Sequence, residues 1–128
     1  MAVVLQTLID SDFEHVVKVT TTSTNTAAEI VDASDLTGAD TDPRLSIVGC
    51  WWTVGSQTDI LFDDADADTV ALSLNGNGSY NIGSQSFPSI PNPENTGVTG
   101  DIKLTNSSAS VGTIILKFRK VSGYDNIS

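Results

Sequence analysis

Residues 44–54 read RLSIVGCWWTV, the most apolar stretch of the chain. Both alternating sets are hydrophobic, Leu45, Ile47 and Trp51 against Val48, Cys50 and Trp52. A strand with this pattern is covered on both sides. Downstream, TDILF sets Ile60 and Phe62 against Asp59 and Leu61. The acidic run DDADAD then makes a turn, and TVALSL alternates Val70, Leu72 and Leu74 with Ala71 and Ser73. The two strands and their turn predict a hairpin. NGNG at Asn75 to Gly78 offers two Asn-Gly pairs that tolerate positive φ, so a second tight hairpin turn is expected there, with Ser79 to Ile82 returning as a short strand.

Pro88, Pro91 and Pro93 each lack a backbone donor, so 87–96 is expected to be a Pro-rich loop. Beyond it, VTGDIKLT opposes Val98, Ile102 and Leu104 to Thr99, Asp101 and Lys103. GTIILKFRK turns Ile114, Leu116 and Phe118 inward. Residues 121–128, VSGYDNIS, are expected to form a frayed or partner-bound tail. Upstream, HVVKVTTTS places Val17 and Val19 on one face and Val16, Lys18 and Thr20 on the other. Ala28 to Asp32 form a further short strand, SDLTGADTDP a loop, and residues 1–12 an apolar N-terminal arm. No segment has a convincing helical period. The expected fold is all-β: one domain over 1–128, an antiparallel β-sandwich or jelly roll of about eight short strands with Pro/Gly-rich loops.

Composition narrows the function. The chain has 128 residues, a net charge of −10 and a pI near 4.1, which repels nucleic-acid phosphates and anionic lipid. Thirteen of its 16 acids are Asp, a residue of turns rather than helix interiors. Apolar runs are far shorter than the roughly 20 residues of a membrane-spanning helix, and MAVVLQTLIDSD lacks the features of a secretion leader. The single cysteine, Cys50, sits in an apolar run and is expected as a buried thiol, in keeping with a reducing cytoplasm.

Catalytic signals are sparse. The one histidine, His15, opens a strand beside Glu14 and is expected at the surface, with no motif around it for a triad or a zinc site. Asp64, Asp66 and Asp68 begin like a calcium loop, but Thr69 stands where glycine is needed and Asn75 where a bidentate Glu is needed. A looser calcium site from Asp63, Asp64, Asp66 and Asp68 stays open, with a solvated acidic hairpin tip the commoner outcome. No cofactor and no catalytic residue is assigned. Trp51 and Trp52, adjacent on a strand, point to opposite faces. One is expected in the core and the other at a subunit interface, ahead of a carbohydrate platform, because only 6% of the chain is aromatic; two simply buried tryptophans are the third reading.

The order of segments, DFEHVVKV, LSIVGCWWTV, DILFDDADADTVALSLNGNGSYN, PSIPNPENTGVTGDIKLT and LKFRKVSGYD, resembles small virion structural proteins of tailed phages, especially marine and cyanobacterial ones. The resemblance spans nearly the whole chain and rests on fold markers. It implies a capsid decoration or cement protein, made in the host cytoplasm and placed on the head surface. The implied partners are the major capsid protein and further copies of the chain, a trimer among the options. The contacts then expected are Val3, Leu5 and Leu8 of the arm, Trp51 and Trp52, Phe87, Pro88, Pro91 and Pro93 of the loop, and Lys117 and Arg119 of the basic final strand, with Lys103 and Lys120 adding to its charge. A carbohydrate-binding domain on the virion and a tail or baseplate component are the rival readings.

Overall fold

The computed structural model of the chain describes residues 3–11, 13–21, 28–36, 38–63, 69–81, 88–91, 101–106 and 112–124. Among them are seven strands, β1 (Val3–Asp10), β2 (Glu14–Thr21), β3 (Ala28–Val31), β4 (Ala39–Phe62), β5 (Thr69–Tyr80), β6 (Ile102–Asn106) and β7 (Gly112–Tyr124), with one 3-10 turn at Ala33–Asp35. The class is the all-β antiparallel one expected. Its layers come from a single sheet in the order β1-β2-β7-β4-β6-β3, with β5 on the other side of β4. The sheet curls until its two end strands, β1 and β3, approach each other, which leaves it a nearly closed barrel.

The long strand β4 makes this possible. Its first part pairs with β7 from Ala39 to Thr53 and its last part with β6 from Thr58 to Phe62, while β5 runs along the opposite edge. The change of partner coincides with a bulge. Gly55, Ser56 and Gln57 face the single residue Asn75, because the register jumps from Val54 opposite Gly76 to Thr58 opposite Leu74. Extra residues on one strand bend it and raise its twist, so β4 serves both walls of the barrel.

This bulge corrects the reading of NGNG as a hairpin turn. β5 passes straight through it from Thr69 to Tyr80, and no separate strand begins at Ser79. The tolerance of positive φ is used all the same, since Gly76 takes φ 64° where β5 meets the bulge. Gly78 serves a different end, with its bare α-carbon lying under the Trp52 indole. The hairpin across the acidic run holds, with Thr58–Phe62 paired to Thr69–Leu74.

The interior follows the alternation except in β4, where a register shift between Ile47 and Gly49 brings Cys50 to the same side as Leu45 and Ile47, against the expected split into two faces, and leaves Trp51 outside. Val17, Val19, Leu45, Ile47, Cys50, Ile60, Phe62, Leu74, Ile102, Leu104, Ile114, Leu116 and Phe118 form one buried cluster. Each such side chain contributes about 1.5–3 kcal/mol on leaving water. Two boundaries move. β4 begins at Ala39, inside the expected loop. β7 continues into the expected tail as far as Tyr124, which is buried, with its hydroxyl donating to the Ala33 carbonyl (3.3 Å). Residues 125–128 lie outside the described residues, as do Val98 and Thr99.

The Cys50 thiol is fully enclosed, and burial pushes it up to about 12. It will therefore resist thiol reagents in the native protein and react at the rate of global unfolding, which labelling in rising urea would measure.

Candidate functional site

β1 is the most unusual element. VVLQTLI carries no charge from Val3 to Ile9 and has apolar residues in both alternating sets. The register slips between Thr7 and Ile9, a bulge that redirects Leu8. Val4 is 61% exposed and Leu8 44%, with Leu5 and Ile9 exposed to the same degree as Leu8. Among the described residues β1 pairs with β2 alone, so its other edge offers unpaired backbone donors and acceptors. Proteins commonly blunt such edges with charge or proline, and Val3–Ile9 has neither. The expected N-terminal arm is thus an edge strand of the sheet.

The far end of β1 is fixed by a buried node. Lys120 is 1% exposed, and its ammonium donates to Asp10 Oδ1 (2.7 Å) and to the Ser11 carbonyl (2.5 Å), 5.1 Å from the centre of the Tyr124 ring. Its own backbone N–H donates to the Phe13 carbonyl (2.8 Å). Lys120 is therefore withdrawn from the basic surface expected of the last strand, because the alternation that buries Leu116 and Phe118 buries position 120 too. Lys103 is also engaged, 2.9 Å from Asp63.

His15 corrects a second expectation. It is 4% exposed, stacked on Phe118 with ring centroids 6.3 Å apart, and its Nδ1 has no hydrogen-bond partner. Burial lowers its pKa below 6.5, opposed by the Asp10 carboxylate and reinforced by Lys120. A histidine buried neutral binds fewer protons folded than unfolded, so its contribution is intact above pH 6.5 and is lost as pH falls through that value toward the folded pKa. The urea midpoint should fall on acidification below 6.5, and the His15→Leu variant should show a shallower fall.

The expected contacts fall into separate places. Trp51 is on the outer face, 41% exposed, in a cross-strand row with Ile115 on β7 and Ser79 on β5. Trp52 turns inward, half-buried against the core, with its indole N–H donating to the Asn75 carbonyl (3.4 Å). Lys117 and Arg119 are exposed on the same outer face as Ile115, and with Phe13, Glu14 and Val48 they line a shallow cleft of about 430 Å³. Lys117 lies 3.7 Å from Glu14.

Pro88 and Pro91 are exposed, in a segment held by the Tyr80 hydroxyl donating to the Pro88 carbonyl (2.6 Å) and by the Ile47–Ile90 bridge. Phe87 and Pro93 lie outside the described residues. Of the candidate calcium ligands, Asp64, Asp66 and Asp68 also lie outside them, and Asp63 is committed to Lys103. Among the described residues no group of His, Cys, Asp and Glu is arranged to hold a metal ion.

A second cleft, of about 350 Å³, opens where the barrel fails to close. Leu5, Thr7 and Asp10 of β1 and His15 and Val17 of β2 form one wall, and Glu29 to Asp32 with Asp35 and Leu36 form the other. Its electrostatics are strained. Glu29 is pushed up to about 7 by desolvation, by repulsion from Asp101 and Asp32, and by a hydrogen bond shared with Asp101. Asp101 is raised as well, chiefly by desolvation, although its Oδ1 accepts the Ala33 N–H (3.0 Å). The sequence had signalled neither the cleft nor the Glu29–Asp101 pair, which join residues far apart in the chain. Comparison with protein-family models, with curated proteins and with solved structures finds no match for this chain.

Proposed function

We propose that this chain is a structural protein of a phage particle, a capsid decoration subunit that docks on the lattice of the major capsid protein, works in several copies and performs no chemistry of its own. The particle is suggested by the resemblance of its segments to small virion proteins. The observation that carries the docking role is β1, whose Val3–Ile9 run is uncharged and apolar and whose outer edge has no strand partner among the described residues, in a protein of net charge −10. Backbone groups on such an edge supply affinity to any extended chain, and flanking side chains supply specificity. The exposed outer face from Trp51 to Lys117 and Arg119 gives a second contact area with the only unburied basic residues of β7.

The test is add-back to purified heads that lack the chain. Recoated heads should withstand higher temperature and stronger osmotic shock, and reconstruction should place density in symmetric copies over subunit junctions. Heads equally robust with and without the chain would end the cementing role. Placing a Lys on the edge at both Val4 and Leu8 adds charge where the side chains are already exposed, so the fold should persist. Retention on heads should drop at least tenfold, the effect of charge on a sheet edge.

The exposure of Trp51 keeps one alternative in view, a carbohydrate-binding domain on the virion. A single flat ring on a row of Lys18, Ile115 and Ser79 gives a sugar one stacking partner. That reading requires a glycan-array signal abolished by Trp51→Ala, whereas the decoration reading requires retention on heads without any glycan.

A further inference from the structure

The two ends of the sheet pose a geometric question. β1 pairs only with β2 and β3 only with β6 among the described residues, yet the two approach each other. Between them lies the cleft of about 350 Å³, with no strand of the described residues in it. Its walls carry the carboxylates of Asp10, Glu29, Asp32 and Asp35; of the cations beside them, Lys120 is held by Asp10 and the Ser11 carbonyl, and Lys103, opposite Glu29 on β6, lies 2.9 Å from Asp63. His15 is part of the wall, nearly wholly buried, and its Nδ1 has no hydrogen-bond partner. Leu5, Val31 and Leu36 give the same cleft an apolar side.

We propose that this seam receives an extended segment of the partner protein, laid along the free edge of β1, with a Lys or Arg of that segment reaching among Asp10, Glu29, Asp32 and Asp35. This deepens the docking role proposed above and rests on it for the partner's identity. Each element of the site asks for the same ligand. The unpaired backbone of β1 asks for a strand, and Leu5 and Leu36 ask for apolar residues in it. The carboxylates of the walls outnumber the two lysines beside them, and with the unpartnered His15 Nδ1 they suit a polar group that is also a cation. A long flexible stem suits them better than a metal ion, because the acids are spread along the walls and not gathered at coordination distance.

The probe is a short synthetic peptide alternating lysine and valine, titrated into the isotope-labelled full chain at low and high salt while backbone amide shifts are followed. Its control is the peptide with glutamate in place of lysine. Shifts should map to 3–10 and 28–32, weaken with salt and be absent with the control. The Glu29→Gln/Asp32→Asn variant should bind at least tenfold more weakly. Leu5→Lys, which sets a cation of the chain's own in the seam at an exposed side chain, should do the same. The thermal midpoint and near-ultraviolet signal of each variant show that it is folded.

Shifts confined to the Trp51 face or to the Phe13–Lys117 cleft, or equal affinity in both variants, would overturn the proposal. Head retention separates the two readings. If heads retain the wild type and both variants equally, the seam is not the contact and the decoration role stands. If heads retain no form while the peptide binds the seam, the decoration role falls and the seam stands as a site for another cationic strand.

Discussion

Replacing Lys120 by alanine will cost about 3–5 kcal/mol of stability, the expected penalty for breaking a buried ion pair by removing one partner. The ammonium holds Asp10 Oδ1 at 2.7 Å and the Ser11 carbonyl, so its loss removes the cation from a half-buried carboxylate and one donor from a carbonyl, and opens space beside Tyr124. Lys120→Met fills most of that space and should cost less. Asp10→Asn strands the ammonium and should cost about as much as the alanine change, within the same 3–5 kcal/mol. The double variant Asp10→Asn/Lys120→Met should recover much of the loss, since neither charge is then buried. A double-mutant cycle by urea denaturation at neutral pH measures the coupling. The damage should also be local. Asp10 and Ser11 close β1, so hydrogen exchange should accelerate first along 3–10, which would loosen the edge proposed to dock before the barrel opens. A cost below about 1 kcal/mol, the range of surface pairs, would mean that water reaches the ammonium.

Lys120 also illustrates what the sequence can and cannot disclose. Period-2 alternation correctly turned Ile114, Leu116 and Phe118 inward, and two more residues of the same count reach Lys120. Treating the basic residues as one surface charge hid that step, because burial of a lysine depends on a carboxylate 110 residues earlier in the chain. His15 repeats the pattern. It shares its face with Val17 and Val19, so counting back from them places it inward, against the general expectation that a lone histidine is exposed. Most inward faces were legible because they depend on neighbours two residues away, whereas the ends of β4, β5 and β7 were not, because pairing with distant strands carries them through residues that read as turns. The curl of one sheet into a nearly closed barrel was not, since it is set by the partner change along β4 and by which strands end the sheet. For the same reason the acidic seam was invisible, being built from β1, β2 and the segment around β3.

The two glycines of NGNG separate two demands that look identical in sequence, and substituting them will show it. A methyl group built on Gly78 would lie 2.5 Å from Trp52 Cζ2 and 2.9 Å from Cε2, so the indole must swing away from the core and from the Asn75 carbonyl. Gly78→Ala should therefore cost about 1–3 kcal/mol, the range for overpacking. At Gly76 a methyl meets nothing within 4 Å, and the cost there is the φ of 64°, about 1–2 kcal/mol for a residue with a Cβ. The discriminating background is Trp52→Leu, which removes the ring. In it the Gly78→Ala penalty should nearly vanish, whereas the Gly76→Ala penalty should be unchanged. With Trp51→Phe making Trp52 the sole emitter, Gly78→Ala should also red-shift native fluorescence as the ring meets water, and Gly76→Ala should not. Trp51 faces the other way and β1 lies across β2 and β7 from this point, so under the proposed decoration role Gly78→Ala protein should still coat heads at temperatures where it is folded. Lost coating by folded Gly78→Ala protein would move the contact from the β1 edge to the Trp52 side of the sheet, the result most damaging to an edge-strand docking site.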